Sequence, residues 1–485
     1  MADIKIARGT FSTPGSTGNF NVTGLGFDDC EFVFCHATQV TSNDSNTAAV
    51  GHMMGITDMT NDRCCVHASS DTVHNTLRRA VNDAFIRGVN GDSDTPDYIA
   101  TMVGAITDGF QLNFSSVAGG SGFIVHYFAV GGADANAVVG TQSFGAGSVT
   151  GVGFTSDLVG CISVCSANEN VDEQYSFMSL GFAHDNGSSI DQWVAAIYGS
   201  DGTGSGTGDN KHSLLVDGTF IRQLGAEYTA WNAVCTVIGT DGFTWTGGNA
   251  DDVYYFCLDL AGTGVYVDTV AKETGAAPDT QTLPDFGFTP QAMLLASCSE
   301  LSGAAETADN NCRFSVGSYD GSAQGCSITT ELNSSNTEQW QRSMNDRAIA
   351  LSDDLGTAVD AEGTVQSFTD STPDIIWDPN NSEADLIGFV GFTSQGTPFV
   401  EQGTAGAVSV TGFVAALDLG FVAAGTLGNA AVTGFVSALS LGLDVSGTLG
   451  NVAVTGFAGE VDVSKPFPYH IIKQKRRDMR AMLTL

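Results

Sequence analysis

Basic residues are scarce in this chain: 18 Lys and Arg stand against 54 Asp and Glu, giving a formal net charge of -36 over 485 residues. A surface of that sign repels nucleic acid and anionic membranes, so neither is expected as a partner. Self-repulsion of this size is best tolerated where salt screens it within about 10 Å, which suits a saline setting. Proline is also sparse at ten residues, while glycine reaches 60, and few stretches carry a helical period. That composition predicts an all-β protein with many loops. No apolar run approaches the length of a transmembrane helix. The opening Met1-Ala2-Asp3-Ile4-Lys5-Ile6 has neither a long apolar core nor a cleavage site, so synthesis in a cytosol is expected.

The usual catalytic signatures are missing too. There is no Gly-x-Ser-x-Gly elbow, no His-Glu-x-x-His and no Cys-His pair with a recognisable local signature. Eleven cysteines are an odd number and their spacing makes no disulfide framework. Cys30, Cys35, His36, Cys64, Cys65 and His67 have the right ligand types for zinc, but they contain no Cys-x-x-Cys, and adjacent Cys64 and Cys65 cannot readily ligate together from one strand. Packed thiols with surface histidines are the expected state, and no metal or cofactor is assigned. On strand periodicity Cys161 and Cys165 share a face, whereas Cys30 and Cys35 face opposite sides.

Other candidates fail on similar grounds. The run Gly199 to Asn210 has the composition of a phosphate cradle, yet no Lys-Ser or Lys-Thr closes it; Asp201 and Asp209 lack the alternating spacing of a calcium loop. Among the aromatics, Trp231 with Trp245 comes nearest to a sugar-stacking platform. Trp193, Trp340 and Trp377 fall in unrelated contexts and are expected in the core. No catalytic residue is assigned.

What the chain does contain is repetition. Val22-Thr23-Gly24-Leu25-Gly26-Phe27 is echoed by Val149-Thr150-Gly151-Val152-Gly153-Phe154 and by Leu283-Pro284-Asp285-Phe286-Gly287-Phe288. Thr107-Asp108-Gly109-Phe110 then matches Thr240-Asp241-Gly242-Phe243, each before an aromatic closing strand (Phe123 to Val130, Val253 to Leu260, and Leu386 to Phe392 in the third copy). The third copy has no Thr-Asp-Gly-Phe. Arg79-Ala80-Val81-Asn82-Asp83 matches Arg342-Ser343-Met344-Asn345-Asp346, with a loose counterpart around Leu214 to Ile221. The order holds, so three β-sandwich modules are expected at 1–135, 136–265 and 266–398, each a normal domain size. Two helices are expected inside them: His74 to Arg87, where Leu77, Val81, Ala84 and Phe85 fall on one helical face, and more weakly Ser334 to Ala350.

From Gly406 the period shortens. Val-Thr-Gly-Phe begins at Val410, Val432 and Val454, and Gly-Thr-Leu-Gly-Asn at Gly425 and Gly447, both every 22 residues, with no Lys or Arg from Ala348 to Ser464. β-Branched runs between glycines predict short strands separated by tight turns over 399–464. One such unit cannot bury its own apolar face and needs the next repeat or another chain. The tail 465–485 is the cationic end, with Lys465, Lys473, Lys475, Arg476, Arg477 and Arg480 supplying six of the 18 basic residues. It is either a frayed terminus or a docking peptide for an acidic partner surface, in which case Lys473, Lys475, Arg476, Arg477 and Arg480 make the contact.

The openings Gly153-Phe154-Thr155-Ser156-Asp157-Leu158-Val159 and Gly287-Phe288-Thr289-Pro290-Gln291-Ala292-Met293, with the later Asp-Gly-Phe-Thr and the aromatic last strand, resemble a module of tailed-bacteriophage appendage proteins that begins with a Gly-Phe-x-Pro-like strand. The 22-residue Val-Thr-Gly repeats are similar to those of virion proteins from marine and cyanobacterial phages. The resemblance implies jelly-roll-like modules, an oligomerising segment and a place in the virion, and it carries over no functional residue. A non-enzymatic exterior virion protein, fibre or capsid decoration, is therefore expected. It would be assembled in the host cytoplasm, trimeric through its repeats, and partnered by other virion proteins. A host-surface adhesin for a glycan or protein receptor is the rival expectation, and a polysaccharide-degrading enzyme the third.

Overall fold

The computed structural model describes residues 3–483 except 49, 70–75, 90–95, 118–121, 167, 200–210, 225–229, 250, 302–310, 333–338, 353–357, 397–398, 403–407, 425–429, 446–451 and 465–479, with backbone alone beyond Thr393. The chain divides into a unit at 2–394 and a unit at 395–485. It is all-β, and among the described residues the only helical turn is a 3₁₀ turn at Phe144–Ala146.

In the larger unit the first strands are β1 (Lys5–Ser12), β2 (Gly18–Thr23), β3 (Cys30–Thr38), β4 (Thr47–Ala48), β5 (Val50–Thr57), β6 (Asp62–Ser69), β7 (Thr76–Val81), β8 (Ile86–Val89), β9 (Pro96–Ile106), β10 (Gly109–Val117) and β11 (Ile124–Gly131). There follow β12 (Asn136–Ser143), β13 (Ser148–Thr150), β14 (Leu158–Ser166), β15 (Glu173–Gln174), β16 (Ser176–Asp185), β17 (Ile190–Gly199), β18 (Lys211–Asp217), β19 (Ile221–Leu224), β20 (Ala230–Gly239), β21 (Gly242–Gly247) and β22 (Asp252–Asp259). The last are β23 (Thr263–Ala271), β24 (Asp279–Thr282), β25 (Ala292–Leu301), β26 (Asn311–Tyr319), β27 (Gln324–Leu332), β28 (Gln339–Met344), β29 (Ile349–Ser352), β30 (Val359–Val365), β31 (Asp374–Trp377) and β32 (Asp385–Gly396).

One strand order recurs three times. Large sheets run β1-β11-β3-β5-β6-β7, β12-β22-β14-β16-β17-β18 and β23-β32-β25-β26-β27-β28, and each has a four-stranded companion: β2-β10-β9-β8, β13-β21-β20-β19 and β24-β31-β30-β29. Each pair of sheets encloses an apolar core, with Val33, Phe85, Phe110 and Val125 in the first, Phe144, Phe220, Phe243 and Trp245 in the second, and Met293, Ile349, Trp377 and Phe389 in the third. The opposite faces of the three large sheets meet in a common core that holds Phe32, Phe34, Phe128, Phe182, Trp193, Phe256, Leu294, Phe314 and Phe392. A sheet covered on both faces needs apolar residues at successive positions, which is why β3, β11, β14 and β17 are nearly continuous buried runs instead of alternating ones.

The repeated sequence landmarks have physical work to do at corresponding places. In the first pair of sheets Asp108 Oδ2 and Oδ1 accept hydrogen bonds from the Gly24 and Gly26 amides at 3.1 and 2.6 Å; in the second, Asp241 accepts from Gly151 and Gly153 at 3.2 and 2.7 Å. The four glycines have positive φ, and in each turn one carboxylate accepts from both amides, the Gly24 amide also reaching Asp108 O at 2.9 Å. The third pair lacks both halves of this clamp. There Asp285, in the place of the first glycine, accepts the Gly287 amide itself at 2.9 Å. Gly109 and Gly242 are fixed by crowding, because a Cβ would lie 1.9 Å from Val22 O and 2.1 Å from Val149 O.

The Arg-Asn-Asp landmarks mark the crossover from the last strand of a large sheet, β7 or β28, to its companion. The two helices expected there are strands instead: His74 to Arg87 contains β7 and the start of β8, and Ser334 to Ala350 contains β28 and the start of β29, apart from positions outside the described residues. A spacing of four, as between Leu77 and Val81, fits a period of 2 as well as one of 3.6, and Asn82 and Asp83 make the bend that breaks the run. Short arms cross between sheets at these edges. β15 pairs with β7, and β4 pairs with β28. The landmark arginines hold the arms, Arg79 to Asp172 at 2.9 Å and Arg342 to Asp44 at 3.1 Å.

The smaller unit consists of β33 (Phe399–Gln402), β34 (Val408–Ala424), β35 (Ala430–Val445), β36 (Val452–Ser464) and β37 (Arg480–Leu483). β33 to β36 pair in parallel with a constant offset of 22, so that Phe399 is opposite Phe421, Val410 opposite Val432 and Val432 opposite Val454. A straight strand as long as β34 would hold its ends roughly 50 Å apart, whereas the chain from Ala424 to Ala430 reaches about 23 Å at most. The chain must curl back on itself once per repeat, which makes each repeat one coil of a parallel β solenoid. A common gap in both ladders, at Ala415, Ser437 and Gly459, places one corner. The short strands and tight turns expected for this segment are therefore replaced by long curving strands, because in-register stacking satisfies the backbone from coil to coil. β37 runs antiparallel against Val452 to Thr455 and covers that part of the last coil.

Candidate functional site

The chemically richest place lies between the first and third large sheets. Arg8, His36, His52, His67 and His126 project from β1, β3, β5, β6 and β11, and all five side chains are buried. His126 is paired with His36 across β11 and β3, and His52 with His67 across β5 and β6, so the imidazoles form a row across four adjacent strands. The facing strand β27 presents Ser327, Thr329 and Glu331 at alternate positions, hence on one face. His36 Nδ1 lies 2.7 Å from Ser327 Oγ, His52 Nδ1 lies 3.3 Å from Thr329 Oγ1, and His67 Nε2 contacts Glu331 Oε1. Successive partners along β27 thus meet successive strands of the first sheet, so β27 crosses those strands instead of running along them.

The arrangement determines where protons sit. Arg8 Nη2, which can only donate, lies 3.1 Å from His126 Nδ1, and Nη1 donates to Gln324 O at 2.9 Å. His126 Nδ1 is then the acceptor, and its Nε2–H donates to Ser343 Oγ at 2.8 Å. Burial, with the neighbouring Arg8 and His52 adding to it, pushes the His126 imidazole well below its ordinary pKa. Burial does the same for His36, reinforced by His126 stacked on it at 5.0 Å, and it lowers His52 to about 3. Gly325 makes room for this packing, since a Cβ there would lie 2.2 Å from Arg8 Nη2 and 2.7 Å from His126 Nδ1.

The six zinc-type residues considered from the sequence are separated by the fold. Cys30, Cys35 and Cys64 lie inside the first pair of sheets, Cys65 lies in the common core, and His36 and His67 are buried at the facing sheet instead of on the surface. Cys30 and Cys35 share an interior, contrary to strict alternation, because the β11–β3 register shifts at Cys30. Burial raises the Cys30 and Cys64 thiols to about 12 and pushes Cys35 and Cys65 well above the usual range, which leaves them protonated and unreactive. Cys161 lies in the interior of the second pair of sheets and Cys165 in a separate small cluster, because Cys165 sits at positive φ where the β14–β22 register shifts.

What sequence reasoning missed is that His67 meets Cys312 and Glu331: one ligand atom from each lies within 4.8 Å of the others. The partners are more than 240 positions away and carry no local signature. Trp231 and Trp245 do not share a platform; Trp231 is 45% exposed, while Trp245 is 2% exposed and donates Nε1–H to Phe144 O at 2.8 Å. Trp193, Trp340 and Trp377 are buried. Asp201, Asp209, Lys473, Lys475, Arg476 and Arg477 lie outside the described residues, and Arg480 is the first residue of β37, its backbone paired with Thr455.

No protein-family model and no curated protein matches this chain. Among solved structures, fructofuranosidase from Schwanniomyces occidentalis complexed with fructose, and the same organism's beta-fructofuranosidase complexed with fructosyl-erythritol, align at 8% identity and a TM-score of 0.11. The alignments cover 72% of this chain and 79% and 78% of those chains, and a score that low carries no argument about fold or activity.

Proposed function

We propose that the protein is a non-enzymatic structural component on the exterior of a tailed-phage virion, a fibre or a capsid decoration protein that oligomerises as a trimer through its C-terminal coils. The observation that carries this reading is the constant 22-residue parallel register. A stacked coil is a rigid, extensible element whose terminal backbone edge accepts another strand. β37 covers only Val452 to Thr455 of the last coil; among the described residues nothing pairs beyond it along β36. The buried arrangement of the 2–394 unit, with three large sheets around one core, supplies a stable body for such an element to present.

The test compares the full chain with a chain ending at Ser394, by light scattering after gel filtration and by binding to particles from the source culture. The full chain is expected to be trimeric and particle-bound, and the shortened chain monomeric and unbound. A shortened chain that does both would overturn the reading.

A further inference from the structure

We propose that His67, Cys312 and Glu331 form a binding site for one divalent transition-metal ion of the zinc class, which ties the first large sheet to the third. The inference stands apart from the virion reading and rests on the residues alone. Cys312 and Glu331 are direct cross-strand partners on β26 and β27, so two ligands are set side by side on rigid, paired strands. His67 reaches them from β6 of the facing sheet. All three side chains are buried, at 0%, 1% and 0% exposure for His67, Cys312 and Glu331.

Charge supports the assignment. A carboxylate buried to this degree is held only with partners, and His67 Nε2 already meets Glu331 Oε1. An ion pair would need only the imidazole and the carboxylate, whereas here a thiol is brought beside both. Thiolate and carboxylate each carry one negative charge, and with a neutral imidazole they balance a divalent ion to zero net charge inside a dry interface. Nitrogen, sulfur and oxygen are the ordinary donors for zinc. The three atoms lie within 4.8 Å of one another, and His67 and Glu331 touch, closer than the roughly 3.5 Å between neighbouring ligand atoms around a tetrahedral ion. Binding therefore parts the imidazole from the carboxylate. The thiol proton leaves to solvent as the bond to the ion forms.

The test uses the full chain, refolded from denaturant with Co²⁺ alone and then displaced by Zn²⁺, because the site closes on folding. The expected result is one ion per chain with a thiolate-to-cobalt charge-transfer band, absent from Cys312→Ser, and at least tenfold weaker binding in His67→Gln. Wild-type protein that shows no such band overturns the proposal, as does a band of equal strength in Cys312→Ser. Should Cys312→Ser fail to fold by circular dichroism, Glu331→Gln decides. It keeps the thiol, and it must keep the band while binding at least tenfold more weakly; unchanged affinity overturns the site.

Discussion

The seam between the second and third large sheets and the seam between the first and third are built from opposite materials. At the first, Trp193 lies flat against Gly388, where a Cβ would come within 2.5 Å of its ring, and its Nε1–H donates to Phe389 O at 3.1 Å. Phe182, its cross-strand neighbour on β16, packs against the indole at 5.1 Å. At the second, imidazoles meet hydroxyls and a carboxylate. Apolar burial is stabilising at any pH and tolerates small shifts, whereas a buried polar row holds only while every donor finds its acceptor and the His36, His52 and His126 rings stay neutral. The two seams of one body should therefore fail under different stresses.

The apolar seam should give the larger single-residue effect. Trp193→Ala is expected to cost about 3–5 kcal/mol, as for other large core truncations, with the same loss at pH 8 and pH 5.5. Chemical denaturation at both values checks this, and a loss that depends on pH would break the contrast.

Acid should strike the polar seam. His36 and His126 are held neutral in the folded protein but regain an ordinary pKa near 6.5 once unfolded. Below that value the unfolded chain binds protons that the folded chain does not, so stability falls as pH falls. The two sites give a slope of up to about 2.7 kcal/mol per pH unit. The groups facing them, Arg8, His52, Ser327 and Ser343, include no carboxylate that would reward protonation. Thermal melts between pH 7.5 and 5 should show a steep drop. Replacing His36 and His126 together by Gln is expected to flatten it in part, since His52 stays held neutral in the fold, and a slope unchanged in that double variant would remove these two rings from the account.

This contrast was only partly legible in the sequence. Strand content and the recurrence of landmarks follow from local pattern, but the crossover marked by Arg-Asn-Asp did not, because the spacing of four around it reads equally as a helix. The coil could be read as a period but not as a closed turn, because only the pairing of Val410 with Val432 across a short connection forces the chain to curl. The histidine row was invisible for another reason. His36, His52 and His67 are 291, 277 and 264 positions from Ser327, Thr329 and Glu331, and no periodicity spans such intervals. Reading the same histidines as surface residues followed from their polarity alone, which ignores that a second sheet can supply acceptors.

A smaller effect sharpens the comparison within the repeated parts. Asp108 and Asp241 each clamp two glycine amides, while Asp285 serves a single one two residues along. Asp108→Ala is expected to cost about 1–3 kcal/mol, since it leaves two amides of a turn without their charged acceptor. Asp285→Ala should cost less, since it removes a single exposed local turn bond. Equal losses measured by denaturation would mean that the third turn is held by its surroundings and not by its own aspartate.

Trp231 should show the smallest change. It is exposed on β20, so Trp231→Ser is expected to alter stability by no more than about 0.5 kcal/mol. The contrast with Trp193 is then one of surroundings, since the two side chains are chemically the same and differ in whether a second sheet covers them. An exposed indole is apolar surface that water must cover, and a partner could cover it instead. Screening the full chain and Trp231→Ser on a glycan array separates the possibilities. Specific binding lost in the variant would favour the adhesin reading over the purely structural one, while silence from both proteins would leave Trp231 as an ordinary surface residue.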